Sequence, residues 1–359
     1  MLQPSLEVVL KRIQPVDADW IAQAEERQLH LTKPPGSLGR LEEIANRCAA
    51  IQRTLRPTVR SPRILIFAAD HGVCEEGVSP YPQAVTAQMV ANFLKGGAAI
   101  NALARVTGIE LQVVDVGLAQ QIQETPELIS RRIEDGTRNF CHEAAMSRDQ
   151  AVAAIEVGIE LAELAIRNDC HLLGIGEMGI GNTTVASAMT AAMTGLPAGR
   201  VVGRGTGADE ACLARKVKAV EQALERHGSS VQHPLDLVAR LGGFEIAAMC
   251  GVYLAAAAHH CPVVADGFIS TVAAALAVTL HRGVKDCLFA AHRSTEPGQG
   301  PLLEFIGQRP LLDLEMRLGE GTGAALAIAV IRAAVAAFTE MATFESAGVS
   351  KARSENFLP

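Results

Sequence analysis

Two glutamates stand among glycines just ahead of apolar helical stretches. Glu177 falls in Leu172-Leu173-Gly174-Ile175-Gly176-Glu177-Met178-Gly179-Ile180-Gly181-Asn182-Thr183-Thr184, and Glu320 in Leu314-Glu315-Met316-Arg317-Leu318-Gly319-Glu320-Gly321-Thr322-Gly323. The first stretch reads as a buried strand over 170–175, a tight glycine turn, and an alanine-rich helix over 185–193. Such a turn can bring backbone N–H groups against a phosphate at a helix N-terminus. A carboxylate beside it repels the anion the turn attracts, so Glu177 points to a second, non-anionic group handled next to a phosphate. A close-packed turn with a solvated glutamate is the plainer reading. Glu320 sits at the mouth of an apolar helix, where the helix dipole lowers a carboxyl pKa and burial raises it. That balance suits a general base. An ordinary acidic residue at a helix start reads equally well.

The elements that would position these residues follow from the pattern of apolar runs. The chain has 359 residues, 49% hydrophobic and 20% charged, enough for a sizeable core in one large or two smaller domains. Two helices are expected first, over 17–29 and 38–51, the second with Ser37 as N-cap. The link between them, Leu31-Thr32-Lys33-Pro34-Pro35-Gly36-Ser37-Leu38-Gly39-Arg40, reads as a linker or a binding loop. From residue 63 strands and helices alternate, which implies a parallel sheet. Strands are expected over 64–69, 111–116, 171–175, 262–265 and 287–291. Each ends in a polar or glycine-bearing turn, among them Asp70-His71-Gly72, Asp266-Gly267 and His292-Arg293-Ser294. Ligands of open parallel sheets bind outside the carboxyl ends of the strands, so the chemistry-capable residues collect at one edge.

Ser147 and Gln150 form a capping box ahead of a helix over 149–167. A charged amphipathic helix over 209–226 carries Lys216 and follows a second candidate anion loop, Gly203-Arg204-Gly205-Thr206-Gly207. Alanine-rich helices are expected over 244–259 and 270–280. The most apolar helix, 323–338, contains Arg332, reads as too short to span a bilayer and is taken as buried. The tail 346–359 is polar and reads as disordered. A net charge of -7 argues against nucleic acid or an anionic membrane as partner. Eight cysteines without a CxxC pair, mostly within apolar runs, fit a reduced cytoplasmic protein. Asp70-His71 is disfavoured as a dyad, because adjacent strand-end side chains diverge. His259-His260-Cys261 reads as a helix-to-strand corner, since no partner lies at metal-site spacing.

Taken in order, Lys33-Pro34-Pro35-Gly36-Ser37-Leu38-Gly39-Arg40, Ala69-Asp70-His71-Gly72-Val73, Gly176-Glu177-Met178-Gly179-Ile180-Gly181-Asn182-Thr183, Asp266-Gly267-Phe268 and Arg317 to Gly323 closely resemble one family. It is nicotinate-nucleotide–dimethylbenzimidazole phosphoribosyltransferase. The resemblance runs from about Lys33 to Ala337. It implies an α/β fold, a Rossmann-like parallel sheet flanked by helices, with a small helical domain formed from the chain ends. The corresponding division is 1–60 for the N-terminal part of the small domain, 61–322 for the catalytic domain, and 323–359 completing the small domain. It also implies a homodimer acting on nicotinate mononucleotide and 5,6-dimethylbenzimidazole, with no cofactor and no metal. The family's catalytic base falls on Glu320 and its second carboxylate on Glu177. Its phosphate loop falls on Gly179, Gly181, Asn182 and Thr183, and a phosphate-binding lysine on Lys216. The base pocket draws on Tyr81, Gln88, Ser294 and Leu318.

The implied reaction gives each group a task. Positive charge builds on the ribose as nicotinate leaves, and the incoming benzimidazole must lose its N–H proton. Glu320 can take that proton and Glu177 can offset the ribose charge. Two rivals remain. A dehydrogenase would use Asp115 as a ribose-binding acid, although the full GxGxxG is missing. A non-catalytic nucleotide sensor would use the fold alone.

Overall fold

A computed structural model describes residues 5–122 and 125–350; residues 351–359 of the polar tail lie outside the described residues. Six strands form one parallel sheet: β1 (Arg63–Ala69), β2 (Glu110–Gly117), β3 (Leu128–Ser130), β4 (Leu173–Met178), β5 (Val263–Ala265) and β6 (Leu288–Ala290). Their order is β3-β2-β1-β4-β5-β6, so the winding reverses between β1 and β4. In doubly wound folds ligands bind at the carboxyl edge of the sheet near such a reversal. Every residue of β1 is buried, as expected of a central parallel strand covered on both faces.

Two differences from the sequence reading matter for the site. β4 does not stop at Ile175: Gly176, Glu177 and Met178 pair with Ile66, Phe67 and Ala68 of β1. Glu177 therefore stands on a central strand and not in the glycine turn. β3 was not anticipated, because it has three residues and pairs only with β2. The other strands fall within a residue or so of the expected ranges.

The helix caps are local signals and mostly behave as such. Ser147 and Gln150 close a reciprocal capping box on Arg148–Arg167. Asp209 accepts the Cys212 N–H at 2.7 Å and starts Glu210–His227. Ser37 is a correction: the third helix runs Arg40–Ile51, and Gly39 holds the N-cap place. The Pro34–Gly39 stretch is spent on turns instead, with Ser37 N–H on Pro34 O and Gly39 N–H on Gly36 O. Lys33 and Glu42, both largely buried, lock the link at 2.7 Å. Thr32 N–H bonds Ala342 O, and the Arg27 guanidinium bonds Phe338 O and stacks on that ring. The two chain ends are thus tied together, and their apolar residues share one continuous core with the sheet.

The apolar helix near the C-terminus is also longer than read. Thr322–Glu340 has 19 residues, long and apolar enough by composition to cross a membrane. It packs instead within the fold: Ala324, Ala325, Ala327, Ile328 and Ile331 are fully buried. It lies against Arg40–Ile51, Ala99–Thr107 and strands β4 and β5.

Phe244–Ala258 is buried along its whole length and packs on Arg148–Arg167. The contact is backbone to backbone: a Cβ at Gly158 would run into Ala248 O, and one at Gly251 into Ile155 O. With backbone on the other side there is nothing flexible to move. Gly158→Ala and Gly251→Ala are each expected to cost about 3 kcal/mol or more by overpacking. The urea midpoint of each variant checks this, and a loss under about 1 kcal/mol would mean the helices slide apart freely.

Candidate active site

The carboxyl ends of β1, β4, β5 and β6 deliver Asp70 and His71, Glu177, Asp266 and His292 to one edge. There a cleft is lined by, among others, Glu177, Asn182, Thr183, Ser294, Arg317 and Leu318. Glu177 is 7% exposed, and the Asn182 side-chain amide donates to its Oε2. Burial, with Glu245, Asp266 and Glu320 nearby, pushes its carboxyl up to about 8. Near neutral pH Glu177 is therefore largely protonated.

Glu320 lies behind Gly319, with φ of 63°, between Gly319 at 82° and Gly321 at 88°. Three consecutive left-handed residues, the middle one not glycine, are a strained arrangement of the kind found at functional sites. The glycines on both sides of this contact are explained by distance. A Cβ on Gly176 would sit 2.5 Å from Glu320 O, and one on Gly319 would strike Glu177 Oε1. The two motifs thus pack glycine against glycine, with β4 and the 319–321 turn in direct contact.

The helix that follows is not capped by Glu320. Asp266, at the end of β5, accepts the N–H groups of Gly321 at 3.1 Å and Ala324 at 2.9 Å. The plain reading of Glu320 as a helix-start acid is thereby removed. Its carboxyl is buried, with Oε2 unpartnered. Burial raises its pKa, the backbone N–H of Ile100 opposes the rise, and Asp266 adds to it. The dipole it meets belongs to the start of Ala99–Thr107, not to its own helix.

Lys216 is 1% exposed and donates to Thr183 Oγ1 at 3.0 Å and Gly203 O at 2.7 Å. Burial lowers its pKa and Glu296 works the other way. The two candidate anion loops are therefore neighbours: Gly205 and Thr206 line the same cleft as Gly179, Asn182 and Thr183. Arg317 Nη1 donates to Gly205 O at 2.9 Å. The first loop is shaped by its surroundings. Ile180 N–H bonds Thr86 Oγ1, a Cβ on Gly179 would sit 2.6 Å from Ala69 O, and one on Gly181, at φ 91°, 2.7 Å from Cys74 Sγ. The helix Asn182–Thr194 starts directly after Gly181.

Of the base-pocket residues, Ser294 and Leu318 line the cleft, Ser294 buried and Leu318 exposed at the rim. Tyr81 and Gln88 do not. Tyr81 is on an exposed proline-bounded stretch, and Gln88 points to solvent because Val85–Leu94 buries Thr86, Ala87, Val90 and Phe93. Asp70 and His71 diverge as expected. Asp70 Oδ2 takes the Ala119 N–H, while His71 Nε2 lies 3.0 Å from Glu245 Oε1, both side chains fully buried. Burial opposes the charged form of His71, but Glu245 and Asp70 outweigh it and raise the pKa. Glu245 and Glu296 were missed in the sequence; an acid opening the all-apolar run after Phe244 was the available signal for the first. Asp115 is consumed in its own turn, by the N–H groups of Gly117 and Leu118 and by Arg132, so the dehydrogenase reading loses its ribose acid. His259 and His260 do close a helix-to-strand corner, with His259 on Glu163 at 2.9 Å.

A cleft over the carboxyl ends of β4, β5 and β6, with a buried lysine behind its wall and two buried carboxyls at or near it, has the make-up of an enzyme site. The chain belongs to the phosphoribosyltransferase family, whose profile matches residues 13–349. Within it the chain groups with the nicotinate-nucleotide–dimethylbenzimidazole phosphoribosyltransferases. The one from Geobacter sp. (strain M21) is 51% identical over 345 residues, covering 96% of this chain and 99% of that sequence. The one from Chloroflexus aggregans (strain MD-66 / DSM 9485) is 51% identical over 346 residues, covering 96% and 98%. The crystal structure of CobT from Thermus thermophilus superposes with a TM-score of 0.89 at 48% identity, over 93% of this chain and 100% of that one.

The state of Glu177 has a consequence for stability. In the unfolded chain the carboxyl ionises near 4.5, but in the folded chain it keeps its proton to about 8. The folded state is therefore progressively penalised as pH rises between those values, and no further above the higher one. Glu177→Gln cannot ionise, so it is expected to track wild type near pH 5 and to exceed it by ~2–4 kcal/mol at pH 8. Urea midpoints at pH 5, 7 and 9 check the sign; a gap independent of pH would mean that Glu177 ionises like an exposed acid.

Proposed function

We propose that this chain moves the 5-phosphoribosyl group of nicotinate mononucleotide to 5,6-dimethylbenzimidazole, giving α-ribazole 5′-phosphate and nicotinate. The observation that carries the reading is the packing of the 319–321 turn on β4, Gly176 against the Glu320 backbone and Gly319 against the Glu177 carboxyl, which brings two buried acids into one neighbourhood near the Lys216–Thr183 pair. In this reading the phosphate lies against Gly179, Gly181, Asn182 and Thr183, with Lys216 behind Thr183. The ribose then reaches toward Glu177. The acceptor base is placed on the Glu320 side, toward the start of Ala99–Thr107, with Ser294 and Leu318 of the cleft lining on its pocket. A homodimer, a cytoplasmic location and the small helical domain of 1–60 with 323–359 belong to the same proposal.

The C–N bond from ribose C1 to nicotinate breaks with its electron pair going to the ring nitrogen. A benzimidazole nitrogen attacks C1 from the opposite face, inverting β to α, and its other nitrogen releases a proton to Glu320. Glu177, neutral before substrate binds, is driven toward its ionised form when a pyridinium enters. As a carboxylate it then lowers the energy of the developing oxocarbenium charge. The departing ring carries its own positive charge, so this step calls on no metal.

Released nicotinate, measured with both substrates present, separates this reading from the sensor and dehydrogenase alternatives. Glu320→Gln keeps the shape but takes up no proton at neutral pH, so turnover is expected to fall ~10²-fold or more with nucleotide binding intact. Near-wild-type turnover in that variant would remove Glu320 from the base role. Lys216→Ala is expected to weaken the nucleotide by about tenfold or more while leaving free dimethylbenzimidazole unaffected. Equal losses for both ligands would place Lys216 outside the phosphate site.

A further inference from the structure

The cleft contains a charged group that the proposed reaction does not use. Glu296, in the turn after β6, lines the cleft and is 7% exposed. Its Oε1 accepts the Gly205 N–H at 2.8 Å, and its Oε2 is buried without a hydrogen-bond partner. It lies so close to Gly203 that any side chain there would strike the carboxyl group. The same loop is held by Lys216 on Gly203 O at 2.7 Å and by Arg317 on Gly205 O at 2.9 Å. A carboxylate thus takes a backbone N–H of a glycine loop in the wall of an anion cleft, close to a buried ammonium. A phosphate seeks the same two donors.

Building on the phosphate placement proposed above, we propose that Glu296 is the built-in counter-anion of the donor site. It shapes the 203–207 loop through Gly205 and meets the incoming phosphate with a fixed negative charge, so it limits how tightly phosphate-bearing ligands are held. A clamp on the Gly205 N–H would need only a neutral acceptor, so the charge calls for its own reason. Lys216 supplies it: buried alone, the ammonium would be driven to release its proton, and Glu296 favours its charged form. When phosphate arrives, the lysine has two anions to serve and Glu296 is the surplus one. That surplus weakens the ground-state complex and eases departure of the phosphorylated product.

Glu296→Gln keeps an acceptor for Gly205 and removes the charge. With folding verified by circular dichroism, calorimetric titration with inorganic phosphate at pH 7 is expected to give a Kd about threefold to tenfold below wild type. The KM for nicotinate mononucleotide should fall in step, while that for dimethylbenzimidazole stays put. Should the glutamine variant fail to fold, Glu296→Ala is read by the same criterion. Phosphate bound no more tightly than by wild type would leave Glu296 as a loop clamp and overturn the inference. Wild-type protein in which inorganic phosphate does not compete with the nucleotide would overturn the phosphate placement, and this inference with it.

Discussion

The side chain of Asp266 holds the site together. It comes off the end of β5 and binds the first free N–H groups of Thr322–Glu340, across 55 residues of sequence to Gly321. One carboxylate thereby satisfies two orphan donors of a buried helix and fixes where that helix begins. The turn 319–321 ends at that point, with Glu320 in the left-handed region between two glycines that share it. The cost is charge. Burial pushes the pKa of Asp266 up, although His292 and the capping N–H groups pull the other way. Its field also raises Glu177 and Glu320. The interaction that holds the 319–321 turn is thus part of what perturbs both Glu320 and Glu177.

The glycines follow from the same constraint. Four of them within eight residues of β4 and its turn read naturally as an anion-binding loop. Only Gly179 and Gly181 belong to the turn, and they are there to pass Ala69 O and Cys74 Sγ. Gly174 and Gly176 are strand residues that let the Thr322–Glu340 helix and its preceding turn lie on the sheet: a Cβ on Gly174 would sit 2.7 Å from Ile64 Cγ1 and 3.0 Å from Ile328 Cδ1. Close approach of helix to strand is what brings Glu320 to Glu177. A larger residue at 176 would separate them before it altered any loop.

What the sequence revealed depended on how local each signal was. Apolar runs between polar turns marked five of the six strands, and the Ser147–Gln150 box and Asp209 marked helix starts, because each is settled within a few residues. The carboxyl-end rule then placed Glu177, Asp266 and His292 on one edge. β3 escaped because three residues pairing on one side leave no periodicity. Ser37 misled because a serine ahead of an amphipathic run resembles a cap, while Gly36 and Gly39 at positive φ turned the chain first. The placement of Tyr81 and Gln88 rested on resemblance alone, and the burial pattern of Val85–Leu94 turns Gln88 outward. Glu296 carries no sequence signature, and Glu245, although marked as an acid opening an apolar run, meets His71 only once the chain is folded.

The acids of the site make most sense counted together. Glu177, Glu245, Asp266 and Glu320 share one poorly solvated region, and each added negative charge there makes the next more costly. His71 offsets Glu245 and the capping N–H groups offset Asp266, so the two remaining carboxyls compete to ionise. On the proposed reaction that competition is useful. A cationic donor ring favours ionised Glu177 just where ribose charge develops. The acceptor's proton then neutralises Glu320, relieving the cluster of one charge as the new bond forms. The negative charge of the site is spread over two carboxyls before transfer and rests on one after it. A pair held apart by glycines, close enough to sense each other but not bridged by a hydrogen bond, is suited to that shift.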